Sequence, residues 1–308
     1  MVKHIYAGEL ALVEALRRRA SSGAAARSGL ALGIGDDCAI FHPRAGEELL
    51  FTTDMLIEDT HFQRSTYSAA DAGWKALARG LSDIAAMGGT PRFCLVSLAL
   101  ASWCDSRWVD GFFRGLLLLA RRTGTVLAGG DLAHAAVVAC DVVVCGSAPR
   151  GRALRRSTAR AGDALYVSGL HGGSALGLAS HRGKAWQRHR RPEPRLALGR
   201  FLREQVRASA AMDLSDGLSL DLHRLCLASG LAAEIDAPPR FPGATLEQAL
   251  HGGEDYELLF TASRSRRVPE EFEGIPLTRI GTMRKGRAGA VMLAGKPLPP
   301  LGYDHFRL

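Results

Sequence analysis

The sequence lacks most of the signatures that assign a function at first reading. No run of 18 or more apolar residues occurs, and the best candidate, residues 126–148, is broken by Asp131, His134 and Asp141, so no membrane-spanning helix is expected. The N-terminal residues lack an uninterrupted apolar core followed by a small-residue cleavage site, so no export signal is expected and the chain reads as cytoplasmic. Six cysteines, at positions 38, 94, 104, 140, 145 and 226, form no CxxC pair and sit mostly in apolar runs. That pattern suits reduced core thiols rather than a zinc site or a disulfide frame. Neither G-x-x-x-x-G-K-[ST] nor G-x-G-x-x-G is present, so a P-loop and a dinucleotide fingerprint are not expected. Lysine supplies only five of the 39 basic residues, and aromatics make up 6% of the chain. The densest basic run, RGKAWQRHRRPEPR (182–195), holds one aromatic and two prolines. It reads as a solvated loop, since a nucleic-acid patch would interleave basic and aromatic residues on one face.

What is present describes a two-domain globular protein. The chain has 308 residues, 47% apolar and 23% charged, long for one core and ample for two. The net charge of +8 is unevenly placed, because residues 1–148 carry −1 and residues 149–308 carry +9. The expected division is therefore 1–148 and 149–308, joined by the turn SAPRGRA.

In the first half, LLFTTDM (49–55) reads as a strand. Residues 71–88 place apolar side chains at 74, 77, 78, 81, 84, 85 and 88, the spacing of one helix face. A strand at 92–100, a helix at 106–124 and strands at 125–130 and 136–146 follow, an α/β domain of βαββαβ type. The second half reads as another α/β domain. Its strands are expected at 162–169, 209–213, 231–236, 256–262, 277–283 and 289–294, and its helices near 173–181, 195–207, 217–229 and 245–251.

Acids recur beside glycines at the ends of these elements. LSDIAAMGG (81–89) and LSDGLSLDL (214–222) share a start, and each is followed by a Gly-Gly-acid step, AGGDL (128–132) and HGGEDY (251–256). Each acid has a bland explanation. Adjacent Asp36 and Asp37 repel and suit a solvated turn or a bound cation; Asp83 could pair with Lys75 or Arg79 along its helix; Ser215 or Asp216 could be a helix N-cap. Together they leave several hard oxygen donors at element ends in an apolar framework, the chemistry of Mg²⁺ shared with phosphates. The glycine-rich SGLHGGSALG (168–177) has two open readings, an anion site at a helix start and a plain strand-to-helix turn.

The segments GIGDDCAIF, TTDMLIEDTHF, WKALARGLSDIAAMGGTP, LAGGDL, GRALRRS, DLSDGLSLDL, GGEDYELLF and GYDHF occur in the order and spacing of the thiamine-monophosphate kinase family, which the chain resembles from about residue 8 to 306. The wider superfamily resembles aminoimidazole ribonucleotide synthetase. The resemblance implies a two-domain synthetase-like α/β fold whose N-terminal domain forms a β-barrel with its twin in a homodimer. It implies transfer of the γ-phosphoryl group of ATP to thiamine monophosphate, in line and direct, with several Mg²⁺ ions and with K⁺ as a further candidate cofactor. Carried over by motif, Asp37, Thr52, Thr53, Asp54, Asp83, Asp131, Asp213 and Asp216 resemble the metal set. Gly130, Asp131, Arg156 and Ser215 resemble ATP contacts, and His61, Glu254 and Tyr303 resemble contacts to the thiamine phosphate. A phosphate nucleophile is already ionised at neutral pH, so no general base is assigned. The chain departs from the family pattern at Leu132, where Thr is usual after GGD, and at Gly80, where Asn often precedes LSD. The alternatives are another ATP-using synthetase of the superfamily and a nucleotide-binding regulator that has lost catalysis, and the presence of every expected acid argues against the latter. A selenophosphate synthetase relative would want a reactive Cys near the N-terminus, whereas the first Cys is residue 38. Neither a nucleic acid nor a membrane partner is expected.

Overall fold

The computed structural model describes residues 8–20 and 29–306. The chain divides into two compact units, one running to Ile84 and resuming from Thr90 to Gly151, the other taking Ala85–Gly89 and the chain from Arg152 onward.

The first unit begins with helix α1 (Glu9–Ala20) and a short antiparallel pair, β1 (Leu30–Leu32) with β2 (Ile40–Phe41). Its main elements are β3 (Glu47–Ile57), α2 (Ala69–Ala86), β4 (Thr90–Ala101), α3 (Ser106–Thr123), β5 (Val126–Ala135) and β6 (Ala139–Pro149). The two consecutive strands thus stand after the second helix, an order of βαβαββ. The sheet runs β3-β6-β4-β5, antiparallel except for the β4–β5 pair. A parallel pair needs a crossover, and α3 supplies it. Asp105 caps α3, accepting the Trp108 amide at 2.8 Å, and Gly124 ends it in the left-handed conformation, the residue types that start and stop helices.

The two helices meet at their backbones. A Cβ on Gly73 would lie 1.9 Å from the Phe112 carbonyl oxygen, and one on Gly115 would lie 1.9 Å from that of Ala70, so only glycine permits this crossing. In β3 the even positions Thr52 and Asp54 bond to α2 while Phe51, Thr53 and Met55 are exposed on the other face, the alternation a pleated strand imposes. Phe41 of β2 packs on Phe93 with ring centroids 5.2 Å apart, over a small cluster with Val126, Ala128 and Cys145.

The second unit is built on a sheet of order β14-β13-β9-β12-β7-β10-β8. These strands are β7 (Ala164–Ser168), β8 (Ala210–Asp213), β9 (Ala232–Ile235), β10 (Leu258–Ala262), β12 (Ile275–Arg284), β13 (Val291–Leu293) and β14 (Lys296–Pro297), with β11 (Glu271–Phe272) added to β12. Helices α4 (Gly173–Ser180), α5 (Gly183–Arg190), α6 (Leu196–Phe201), α7 (Leu218–Ser229) and α8 (Leu246–His251) accompany it, and a π-turn over Leu202–Val206 extends α6. The core joins Leu165, Val167, Met212, Leu222, Leu225, Leu259 and Ile280. Helix α5 corrects the expectation of a solvated loop at 182–195: Trp186 and His189 are buried on it, and Arg188 and Arg195 are both held by the buried carboxylate of Glu257. Among the described residues no helix is long and apolar enough to cross a membrane.

Candidate active site

In the first unit, strand β3 splits the expected donors Thr52, Thr53 and Asp54 between its two faces. Toward α2, the Thr52 hydroxyl donates to Asp83, and Arg79 donates to Asp54 at 3.0 Å. Helix α2 and strand β3 are thus joined by a hydroxyl–carboxylate and a guanidinium–carboxylate contact. Lys75 is fully buried and donates to the His61 carbonyl and the Tyr67 hydroxyl, each at 3.1 Å. His61 in turn accepts the Ile57 amide on Nδ1 at 3.0 Å, which fixes its ring at the end of β3.

On the opposite face Thr53 donates to Asp141 at 2.5 Å. Across the sheet Asp141 stands level with Ser97, and Ser97 with Asp131, so these two acids share one row and one face. Asp131 is exposed and accepts the Leu132 amide at 2.9 Å. Gly130 before it has φ +153, and a Cβ there would lie 1.9 Å from the Val96 carbonyl oxygen. The backbone that approaches this glycine is that of the neighbouring strand. Asp37 is exposed, its amide bonded to Asp36 Oδ1 at 2.8 Å.

In the second unit, two loops and the chain end converge. The Glu254 amide donates to the Ser215 carbonyl at 2.7 Å, that of Tyr256 to Leu214 at 2.9 Å, and that of Tyr303 to Asp216 at 2.8 Å. Ser215, Asp216, Glu254 and Tyr303 are so brought together, with buried Asp213 at the end of β8. Glu254 and Tyr256 hold φ of +63 and +50, a left-handed conformation that costs a side-chain-bearing residue on the order of 1 to 3 kcal/mol and that the cross-loop bonds sustain. Arg156 is exposed, its carbonyl accepting the Ser229 hydroxyl at 2.8 Å.

Neither Ser215 nor Asp216 caps α7. The N-cap is Gly217, without a side-chain cap, and from the first turn of the helix fully buried Asp221 accepts the Asp216 and Gly217 amides on Oδ2 at 3.0 and 3.1 Å. Burial and the neighbouring Asp216 raise the Asp221 carboxyl to about 7 despite those amides and Arg224. Arg224 bonds both Asp216 and Asp221.

The glycine-rich 168–177 segment is also settled by the chain itself. Asp255 accepts the Gly172 and Ser174 amides at 2.5 and 3.0 Å, so the start of α4 already carries an anion. Beside it lies Glu257, fully buried, bonded by Arg188 at 2.8 Å, by both arms of Arg195, and by Ser168 at 2.6 Å. Burial raises Glu257, but Arg195 and Arg188 outweigh it and bring the carboxyl to about 2. His189 reaches Glu254 at 3.4 Å and Ser174 at 2.8 Å, which ties this network to a candidate substrate contact.

Within the described residues no group of three or more His, Cys, Asp and Glu side chains forms a ready-made metal cage. The donor set fits Mg²⁺ in kind, being carboxylate and hydroxyl oxygens alone. Of its acids, Asp83 accepts a hydroxyl, Asp54 and Asp216 each meet a guanidinium, and Asp131 accepts a backbone amide.

Residues 35–149 match the model of the AIR synthase related protein N-terminal domain, and residues 160–293 that of the C-terminal domain. The thiamine-monophosphate kinase of Salmonella typhimurium is 37% identical over 327 residues, covering 97% of this chain and 98% of that protein. The chain belongs to the thiamine-monophosphate kinase family. A solved thiamine-monophosphate kinase from Stenotrophomonas maltophilia K279a is 35% identical and superposes with a TM-score of 0.80 over 92% of this chain and 96% of that one. AaThiL complexed with AMPPCP and TMP is 31% identical, with a TM-score of 0.77 over 99% of each chain.

Against the kinase family's pattern, Gly80 has a packing reason: a Cβ there would lie 2.8 Å from Val144 Cγ2 and 3.6 Å from Thr52 Cγ2. An Asn at this position would need Val144 to move. Sequence reasoning names Arg79 only as a helix partner of Asp83, and does not single out Asp141, Asp221 or Arg224 as neighbours of the candidate residues. Asp221 stands inside the DLSDGLSLDL motif, but only the loop's return shows that it faces the backbone of its own motif.

Proposed function

We propose that the chain transfers the γ-phosphoryl group of ATP to thiamine monophosphate, giving thiamine diphosphate and ADP. The observation that carries this reading is kinship along nearly the whole chain with kinases of that name, joined to the presence of every acid the motifs require. Asp37, Thr52, Thr53, Asp54, Asp83 and Asp131, and likewise Asp213 and Asp216, are the residues that would hold Mg²⁺, which supplies neutralisation of the repelling phosphates. Gly130, Asp131, Arg156 and Ser215 would contact ATP; His61, Glu254 and Tyr303 would contact the thiamine phosphate. The reaction needs alignment and charge neutralisation more than proton transfer, so the chain needs no strong base. K⁺ is a candidate additional ion. The N-terminal domain, which we take as residues 1–148, would also carry the homodimer contact, through the sheet face that exposes Phe51 and Met55 at 63% and 50%.

The test is to supply the purified protein with ATP, Mg²⁺ and either thiamine or thiamine monophosphate. ADP and thiamine diphosphate should form with the monophosphate alone. Product from thiamine, or none from the monophosphate, would overturn the proposal.

A further inference from the structure

Asp216, a metal ligand in the proposed function, already has a cation against it. The Arg224 guanidinium contacts its carboxylate and, with the same Nη1, reaches Asp221 Oδ1 at 3.1 Å. The two acids it joins are unlike. Asp221 is fully buried and its second oxygen is taken by two backbone amides, so its position is fixed by the turn it bonds. The Asp216 side chain is 27% exposed and that of Arg224 38% exposed, so their contact is the one that can open. The first unit repeats the acid–guanidinium pairing at Asp54 and Arg79.

We propose, resting on the metal role of Asp216, that Arg224 is a resident counter-ion for this carboxylate: it neutralises Asp216 while no divalent cation is bound, stays tethered to Asp221 when a cation takes Asp216, and thereby weakens that cation's binding. The two cations compete for one carboxylate. Asp216 and Asp221 lie close enough to share one guanidinium, and without it their charges would repel. A guanidinium stays charged at any working pH, so an incoming cation must displace it rather than wait for it to deprotonate. Because Asp221 retains the displaced group, the exchange needs a side-chain swing and leaves the turn intact. Arg224 is in these terms a positioning residue, acting through Asp216.

The experiment titrates Mn²⁺ into the full chain without nucleotide and follows free Mn²⁺ by its paramagnetic resonance. Asp216→Asn should remove or weaken one binding step. Arg224→Gln should tighten that same step by about twofold to fivefold, the worth of a partly exposed ion pair, and the gain should shrink as salt is raised. Arg224→Lys, which keeps the charge but loses the fork, should fall between and carries the test if the glutamine variant does not fold. An unchanged or weaker step in the Arg224 variants, with Asp216→Asn still impaired, would overturn the counter-ion role. Unaltered Mn²⁺ binding in Asp216→Asn would instead overturn the metal assignment of Asp216 itself.

Discussion

Tyr303 lies five residues from the chain end, where an aromatic is most often a loose cap. Its amide is nevertheless bonded to Asp216, and Gly302 beside it sits where a Cβ would be 2.4 Å from that same carbonyl oxygen. The ring is half-exposed, edge-on to His305 with centroids 4.8 Å apart. A thiazolium ring carries a fixed positive charge, and an aromatic face contributes about 0.5 to 2 kcal/mol to a neighbouring cation. Tyr303→Ala should therefore raise KM for thiamine monophosphate by roughly twofold to thirtyfold, leave that for ATP nearly unchanged, and be reversed by Tyr303→Phe. Steady-state kinetics with each substrate varied in turn decides it, and an unchanged KM in the alanine variant would leave the ring a packing cap. Glu257 carries a stability prediction. Its folded carboxyl lies near 2, against an ordinary value of 4.5, so it contributes stability that is complete above about 4.5 and is lost as pH falls from there toward 2. Glu257→Gln should cost about 3 to 5 kcal/mol at neutral pH, because it leaves Arg188 and Arg195 without their shared buried partner, and should flatten that acid limb in denaturant titrations at stepped pH. Equal acid limbs in parent and variant would count against the assignment. His171 adds to acid sensitivity with the same sign: burial lowers its pKa, and its Nε2 has no hydrogen-bond partner among the described residues, so the folded state resists a proton that the unfolded chain accepts.

At the scale of elements, apolar periodicity was enough to place most helices and strands, since burying one face leaves its period in the sequence. Helix α5 escaped because its buried side chains, Ala185, Trp186 and His189, stand in a run of basic residues whose partners are distant in sequence. Arg188 and Arg195 find Glu257 at separations of 69 and 62 residues, and no local pattern marks a cation whose partner is that far away. Glycines hide similarly. Gly73, Gly111 and Gly115 lower helix propensity when read singly, and only the crossing of α2 with α3 shows what they permit. Gly115→Ala should destabilise the protein by about 1 to 3 kcal/mol, the usual range for overpacking, because the new methyl meets the Ala70 carbonyl. The sign is the test in equilibrium unfolding, since helix propensity alone would stabilise by up to about 1 kcal/mol.

For the whole molecule, the motifs made the family legible while the faces on which their residues lie were not. Thr52 and Thr53 are adjacent in sequence and point to opposite sides of β3, which only the strand's period and its packing decide. The +9 of the second half likewise reads as a scattered surface charge, yet Arg188, Arg195 and Arg224 are committed to Glu257, Asp255, Asp216 and Asp221. If the exposed sheet face of the first unit is covered by a second copy, a charge there should separate the copies. Phe51→Glu with Met55→Lys should convert a dimer into a monomer in sedimentation velocity, without changing the far-ultraviolet circular dichroism. A parent chain that is already monomeric at micromolar concentration, or a variant that stays dimeric, would remove this face from the assembly.

Strand β3 pairs with β6 from Glu47 against Pro149 to Ile57 against Ala139, and among the described residues β6 is its one neighbour in the sheet order. During synthesis the strand is therefore made about 80 to 100 residues before its partner exists. At typical translation rates of about 5 to 20 residues per second, that interval is on the order of 4 to 20 seconds. For that time an eleven-residue strand containing Phe51 and Met55 has an unpaired backbone and an apolar side, the combination that invites mispairing with other nascent chains. Asp54 and the Glu47–Glu48 pair interrupt its apolar character, and their charge would protect the growing chain before any of them has a partner in the finished protein.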